Sequence, residues 1–166
     1  MSLRRVAGVA AIAIAAIALA TLAAVLVGPS VGLFAGSRPA FTGFADGRFA
    51  DGDAKPNWVS SSAPREDAVH YVAPIAFAGA SESAWAALEA IIAAMPRARV
   101  VARSPGYFHA EFASEGLGFV DDGEFALDAA AGVIHVKSAA RLGIRDFSVN
   151  RKRVESIRAA LSPRKN

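Results

Sequence analysis

Tyr107-Phe108-His109-Ala110-Glu111-Phe112-Ala113 alternates apolar and polar side chains, and its reading decides the fold. Successive residues of a strand point to opposite faces. Phe108, Ala110 and Phe112 therefore share one side, and Tyr107, His109 and Glu111 share the other. The pattern recurs downstream. Phe119 to Asp128 sets Phe125 and Leu127 against Asp122 and Glu124, and Val133 to Ala140 sets Ile134 and Val136 against His135 and Lys137, with Arg141 following on that parity. Upstream, Arg99 to Arg103 reads as a further strand. Ser104-Pro105-Gly106, Ser114-Glu115-Gly116, Ala129 to Gly132 and Gly143 bound these runs, and such short connections predict antiparallel hairpins. The parity of Asp121 conflicts with Phe119 and Phe125, which predicts a bulge near Asp121-Asp122.

Working outward, His70 to Phe77 reads as a short strand, which Pro74 confines to a sheet edge or a bulge. Ser81 and Glu82 suit a helix start, Trp85, Leu88, Ile92 and Met95 form one apolar stripe, and Pro96 stops the helix. Phe147 to Leu161 closes the chain as a second helix, buried through Val154, Ile157 and Leu161 and capped by Ser148 or Asp146. A striped helix must cover one face of a sheet. The fold class expected is α+β: two layers, an antiparallel sheet of about five strands in the order β-α-β-β-β-β-α, and two helices on one face. Its arrangement is similar to the TATA-binding-protein-like or helix-grip-like group, an analogy that licenses no function.

A transmembrane helix is expected to precede that domain. Val6 to Val27 carries no charge and follows Arg4 and Arg5. As a helix it spans ~33 Å, enough for a hydrocarbon core of ~30 Å. The arginine pair predicts a cytoplasmic N-terminus, with residues Ser30 to Asn166 across the membrane. The location expected is thus the inner (cytoplasmic) membrane, single-pass, with a periplasmic domain. A cleaved signal is the alternative, although the run is long for one and Gly28-Pro29-Ser30 makes a poor cleavage site. The expected division is 1–27 anchor, 28–56 Gly/Pro-rich tether, 57–162 globular domain and 163–166 basic tail. Phe34 is expected at the membrane interface, and Phe41, Phe44 and Phe49 could pin the tether to the domain.

Arg4 and Arg5 supply two of the three net positive charges, so the exported part is near neutral and nucleic acid is discarded as a partner. The chain has no cysteine, which excludes disulfides, thiolate metal sites, a cysteine nucleophile and a lipid-modified cysteine.

Strand parity gathers His109, Glu111, Asp122, Glu124, His135, Lys137 and Arg141 on one sheet face, flanked by Tyr107 and joined by Arg103. Three readings compete. Alternation alone gives a solvated face with charges paired across strands. The same residues could bind a ligand, or imidazoles with carboxylates could serve metal-dependent or acid/base chemistry. No nucleophile elbow, phosphate loop or His-Glu-x-x-His occurs, and Ser60-Ser61-Ser62 has no histidine at a fixed local spacing. Arg151-Lys152-Arg153 sits early in a helix, which points to anion contact, to pairing with Asp121 or Asp122, or to a solvated face.

Five strings occur in order: Lys55-Pro-Asn-Trp-Val-Ser-Ser61, Tyr107-Phe-His-Ala-Glu-Phe112, Gly118-Phe-Val-Asp-Asp122 with Glu124-Phe125, Gly132-Val-Ile-His-Val136 and Asn150-Arg-Lys-Arg-Val-Glu155. Together, over about Gly43 to Leu161, they resemble domain of unknown function family 1499, bacterial and plastid envelope proteins without established biochemistry. The resemblance implies a cysteine pair around the Pro-Asn string. Here Trp58 stands at one of those positions and Gly52 at the other, which fits a structural disulfide replaced by an aromatic anchor. Asn57, Trp58, Ser60, Ser61, Asn150 and Arg151 are expected to be structural, and Pro56, Asn57, Ser60 and Ser61 are also placed to line a site. The function expected is a non-enzymatic envelope protein, held in the inner membrane by residues 6–27, which binds a small molecule or another envelope protein without a cofactor. The alternative is an enzyme on the histidine-carboxylate face.

Overall fold

A computed structural model describes residues 3–40 and 42–162, with side chains from residue 6 onward. The tail at 163–166, the side chains of Arg4 and Arg5, and Phe41 lie outside the described residues. Four long strands make an antiparallel meander: β5 (Ala98–Ser104), β6 (Tyr107–Ala113), β7 (Val120–Asp128) and β8 (Val133–Ala140). Two short strands, β3 (Trp58–Ser60) and β4 (Ile75–Ala76), share the free edge of β8 and complete a six-stranded sheet. The strand read over His70 to Phe77 thus contracts to β4, directly after Pro74, plus a parallel bridge from Tyr71 to Ser60. A tight hairpin, β1 (Phe44–Ala45) with β2 (Arg48–Phe49), stands apart from the sheet in the segment expected as tether.

Two helices cover the apolar face, as α+β parity demands. In α2 (Ser81–Ala94) the buried line is Ala84, Leu88 and Ile92, with Trp85 and Met95 on its flanks. Met95 is extended before Pro96, where the proline ring excludes helical backbone. In α3 (Val149–Leu161) Asn150, Val154 and Ile157 are buried. These lines meet Phe108, Phe125, Ile134 and Val136 of the sheet, each burial contributing ~1.5–3 kcal/mol. Gly123 completes the layer: a Cβ there would fall 2.5 Å from the Phe112 ring.

Two parity expectations are corrected. The ladder of β7 runs unbroken from Val120 to Asp128, so no bulge occurs at Asp121-Asp122. Asp121 instead faces the helices, opposite Phe112, where Arg153 of α3 meets it at 2.6 Å. The irregularity lies in β5, between Val100 and Ala102. One extra residue there reverses the faces of the rest of the strand. Arg103, expected on the polar face, accordingly pairs with Glu89 of α2.

The N-terminal helix α1 (Leu3–Val27) is long and apolar enough to cross a membrane over Val6–Val27, and none of that span is buried by the rest of the chain. A turn comes directly after it. Leu33 N–H donates to Gly28 O, and Phe34 packs on Phe119 at a centroid distance of 5.6 Å. The domain is therefore seated against the end of α1, and residues 36–40 and 42–53 do not extend away from it but lie over the polar face of the sheet.

Candidate functional site

The polar face holds a connected ionic layer. In register, Glu111 lies opposite Asp122, and Glu124 lies opposite His109 on one side and Lys137 on the other. Asp122 is the hub. It takes the His109 Nε2 contact at 2.7 Å and a two-pronged bond from Arg141, Nε to Oδ2 and Nη2 to Oδ1, each 2.7 Å. Arg141 Nη2 also reaches Glu111 Oε1 at 2.6 Å, and Arg99 Nη2 donates to Glu111 Oε2 at 2.9 Å. His109 is 1% exposed, and Asp122, Glu111 and Glu124 are buried.

What buries them is the chain's own segment at 36–40 and 42–53. Arg38 Nε donates to Glu111 at 2.9 Å, and the Gly43 amide donates to Glu124. Phe44 stacks on His135 with centroids 4.9 Å apart, and Lys137 Nζ donates to Ala50 O at 2.7 Å. Phe49 is fully buried, and its amide donates to Ser62 Oγ. Tyr107 donates to Glu124 at 2.7 Å. All seven side chains gathered by parity thus stand on this face, with Arg38 over Glu111, Gly43 on Glu124 and Phe44 on His135. His109 and His135 do not converge: the first meets Asp122, the second Phe44 and Ser61. No group of three or more histidines and carboxylates suited to a metal occurs among the described residues.

Electrostatics follow from this packing. Burial alone would raise the Glu111 carboxyl, but hydrogen bonds from Arg99, Arg141 and Arg38 outweigh it and hold the group at about 2, against an ordinary 4.5. Asp122 is also lowered: burial opposes, and the bonds from Arg141 and His109 prevail. Asp122 is therefore ionised, and His109 Nε2 carries the bonding hydrogen. Burial raises Tyr107, reinforced by its bond to Glu124. Asp121 is raised, because burial there exceeds the pull of Arg153.

A carboxyl depressed by folding adds stability that is complete above its unfolded value and lost as pH falls through its folded one. For Glu111 that window runs from about 4.5 down to about 2. Asp121 acts with the opposite sign. Wild type should therefore lose more melting temperature across that window than Glu111→Gln, as followed by circular dichroism. Parallel profiles would refute this role of Glu111.

The residues expected to be structural frame the loop after β8. Asn57 Nδ2 donates to Gly143 O at 2.9 Å, and Asn150 Nδ2 donates to Asn57 O at 3.1 Å. Asn150 Oδ1 accepts from Ser138 and Arg153, each at 2.6 Å. Asp146 accepts the amides of Ser148 and Asn150, so it caps α3. Arg151 donates to Ala68 O and Val69 O. Trp58 stacks on His70, and Ser60 O accepts the Val72 amide. Ser61 Oγ lies 3.2 Å from His135 Nδ1, but it also accepts the Val136 amide at 3.0 Å, and Phe44 covers the imidazole. That pair ties β3 to β8, and Asp128 stands 3.9 Å from His135 Nε2, beyond hydrogen-bond length.

Sequence reasoning missed Arg38 and Arg99. A signal existed for them. Glu111, Asp122 and Glu124 outnumber Lys137 and Arg141, and a buried carboxylate requires a partner. Two concave surfaces flank the loop at 142–149. One, about 350 Å³, lies between Pro56, Trp58 and Val69 on one side and Arg145 and Arg151 on the other. The other, about 340 Å³ and mostly apolar, lies between Phe119, Leu142, Phe147 and Val149.

Fold and layer together define a helix-led α+β domain with a strapped, internally neutralised ionic face. The chain belongs to the family described as protein of unknown function (DUF1499), which matches residues 50–161. No curated protein and no solved structure matches it.

Proposed function

We propose that this is a non-enzymatic, single-pass protein of the inner membrane whose domain lies on the periplasmic side and binds a small ligand or another envelope component. The observation that carries the reading is the closure of the histidine-carboxylate face. Each group of that face suited to acid/base work is bonded within the chain and covered by residues 36–40 and 42–53, whereas the concave surface beside Trp58 and Val69 remains open. The ligand of the polar face is thus the chain's own strap, and a diffusible one is assigned to the open cleft. Arg4 and Arg5 ahead of the apolar run support the orientation.

Two measurements test this. Protease added to intact spheroplasts should digest the domain while cytoplasmic controls survive, and protection of the domain would reverse the orientation. Native mass spectrometry of the full chain, released from membranes in mild detergent, should show a bound species that Val69→Trp, by filling the cleft, removes. A chain without adduct, or an adduct indifferent to Val69→Trp, would sink the binding role.

A further inference from the structure

We propose that the Leu142–Val149 loop, with the apolar cleft beside it, rests in the headgroup region of the phospholipid bilayer that α1 crosses, giving the domain a second membrane contact. The inference rests on reading α1 as a retained span and goes beyond it. Three observations carry it.

The first is exposure against conformation. Ile144 is 70% and Phe147 84% exposed, beside exposed Leu142 and Val149. Phe147 and Ser148 are both left-handed, with φ of 52° and 65°. A bulky residue held so is strained, and a ring left mostly in water gains little packing within the domain to offset that.

The second is continuity with the end of α1. A Cβ on Gly36 would fall 2.8 Å from Arg141 Cβ and 3.0 Å from Leu142 Cγ. One on Gly118 would meet Pro29 at 3.5 Å, and Phe34 packs on Phe119. The turn that leaves α1 therefore touches the walls of the apolar cleft. A helix spanning the core through Val27 sets that turn, and the loop beside it, at headgroup depth.

The third is charge. The acidic groups at the cleft are engaged internally, Asp121 by Arg153 and Asp146 by the amides of Ser148 and Asn150. Arg145, exposed on the rim, has no ion pair among the described residues. Apolar side chains flanked by a cation are the composition that binds a phosphate-bearing interface.

Because the chain has no cysteine, single-cysteine variants of the full chain report position cleanly. Ile144→Cys in the loop, Ala130→Cys in the hairpin at the far end of β7, and Ala15→Cys in α1 would each carry an environment-sensitive fluorophore. Reconstituted into phosphatidylcholine/phosphatidylglycerol vesicles with headgroup nitroxide lipid, the 144 position should be quenched several-fold more than the 130 position. Phe147→Asp in the Ile144→Cys background should abolish that excess. Equal quenching at 144 and 130, with 15 quenched by acyl-chain nitroxide, overturns the docking and leaves the span intact. Cysteine crosslinking between copies at 144 without lipid quenching would assign the surface to a second copy and also overturn it. An unquenched position 15 removes the span reading, and the docking falls with it.

Discussion

Arg141→Met should cost about 3–5 kcal/mol, the range for removing one partner of a buried ion pair. The Arg141 side chain is only 6% exposed and bonds both Asp122 and Glu111. A methionine fills most of the volume but leaves two buried carboxylates short of donors, and the desolvation of those charges dominates the loss. Arg38→Ala removes a bond to the same Glu111, yet it should cost less than ~1 kcal/mol, because the Arg38 side chain is half exposed and Arg99 and Arg141 remain. Adding Asp122→Asn to Arg141→Met should recover part of the loss by removing one unpaired charge. Chemical denaturation of the detergent-solubilised chain measures all three. Equal effects of the two arginine variants would show that the layer is solvated, not closed.

That contrast explains why the sequence exposed half of this site. A period of two is enforced by strand geometry at every residue, so the partition of Phe108 from His109, Phe125 from Glu124 and Val136 from Lys137 could be read directly. Parity says which residues share a face but not what lies on it. The strap consists of hairpin β1–β2 and irregular chain, whose position is set by side chains reaching across more than seventy residues, as Arg38 does to Glu111. Nothing local records such contacts. The misplacement of Arg103 has the same root: the bulge in β5 depends on how β5 meets β6, while its own composition carries no glycine to announce it. Three-residue β3 escaped because so short a run has no period to detect. Asp121 breaks the parity pattern without a bulge: its partner is Arg153, thirty-two residues later, one of the basic residues for which pairing with Asp121 or Asp122 is among the expectations.

Trp58→Ala should cost about 3–5 kcal/mol, which for a domain of this size lowers the melting temperature by well over ~10 °C. The indole is 9% exposed, stacks on His70 at 4.1 Å and donates from Nε1 to Asp53 O at 2.8 Å. Its ring occupies the place where a side chain on residue 52 would stand, since a Cβ on Gly52 would fall 2.3 Å from Trp58 Cε2. The two positions at which the family resemblance implies cysteines are therefore in contact here, with tryptophan against glycine. That contact leads to two further variants. Gly52→Val should destabilise nearly as much as Trp58→Ala, because the new side chain displaces the indole. Gly52→Cys with Trp58→Cys should form a disulfide under oxidation, seen by protection from alkylation, and regain ~2–4 kcal/mol relative to its reduced form. If Trp58→Ala melts within about a degree of wild type, as exposed substitutions worth less than ~0.5 kcal/mol do, the indole is no staple. If the cysteine pair alkylates fully under oxidation, contact between the positions does not amount to disulfide geometry, and the equivalence of the two staples fails.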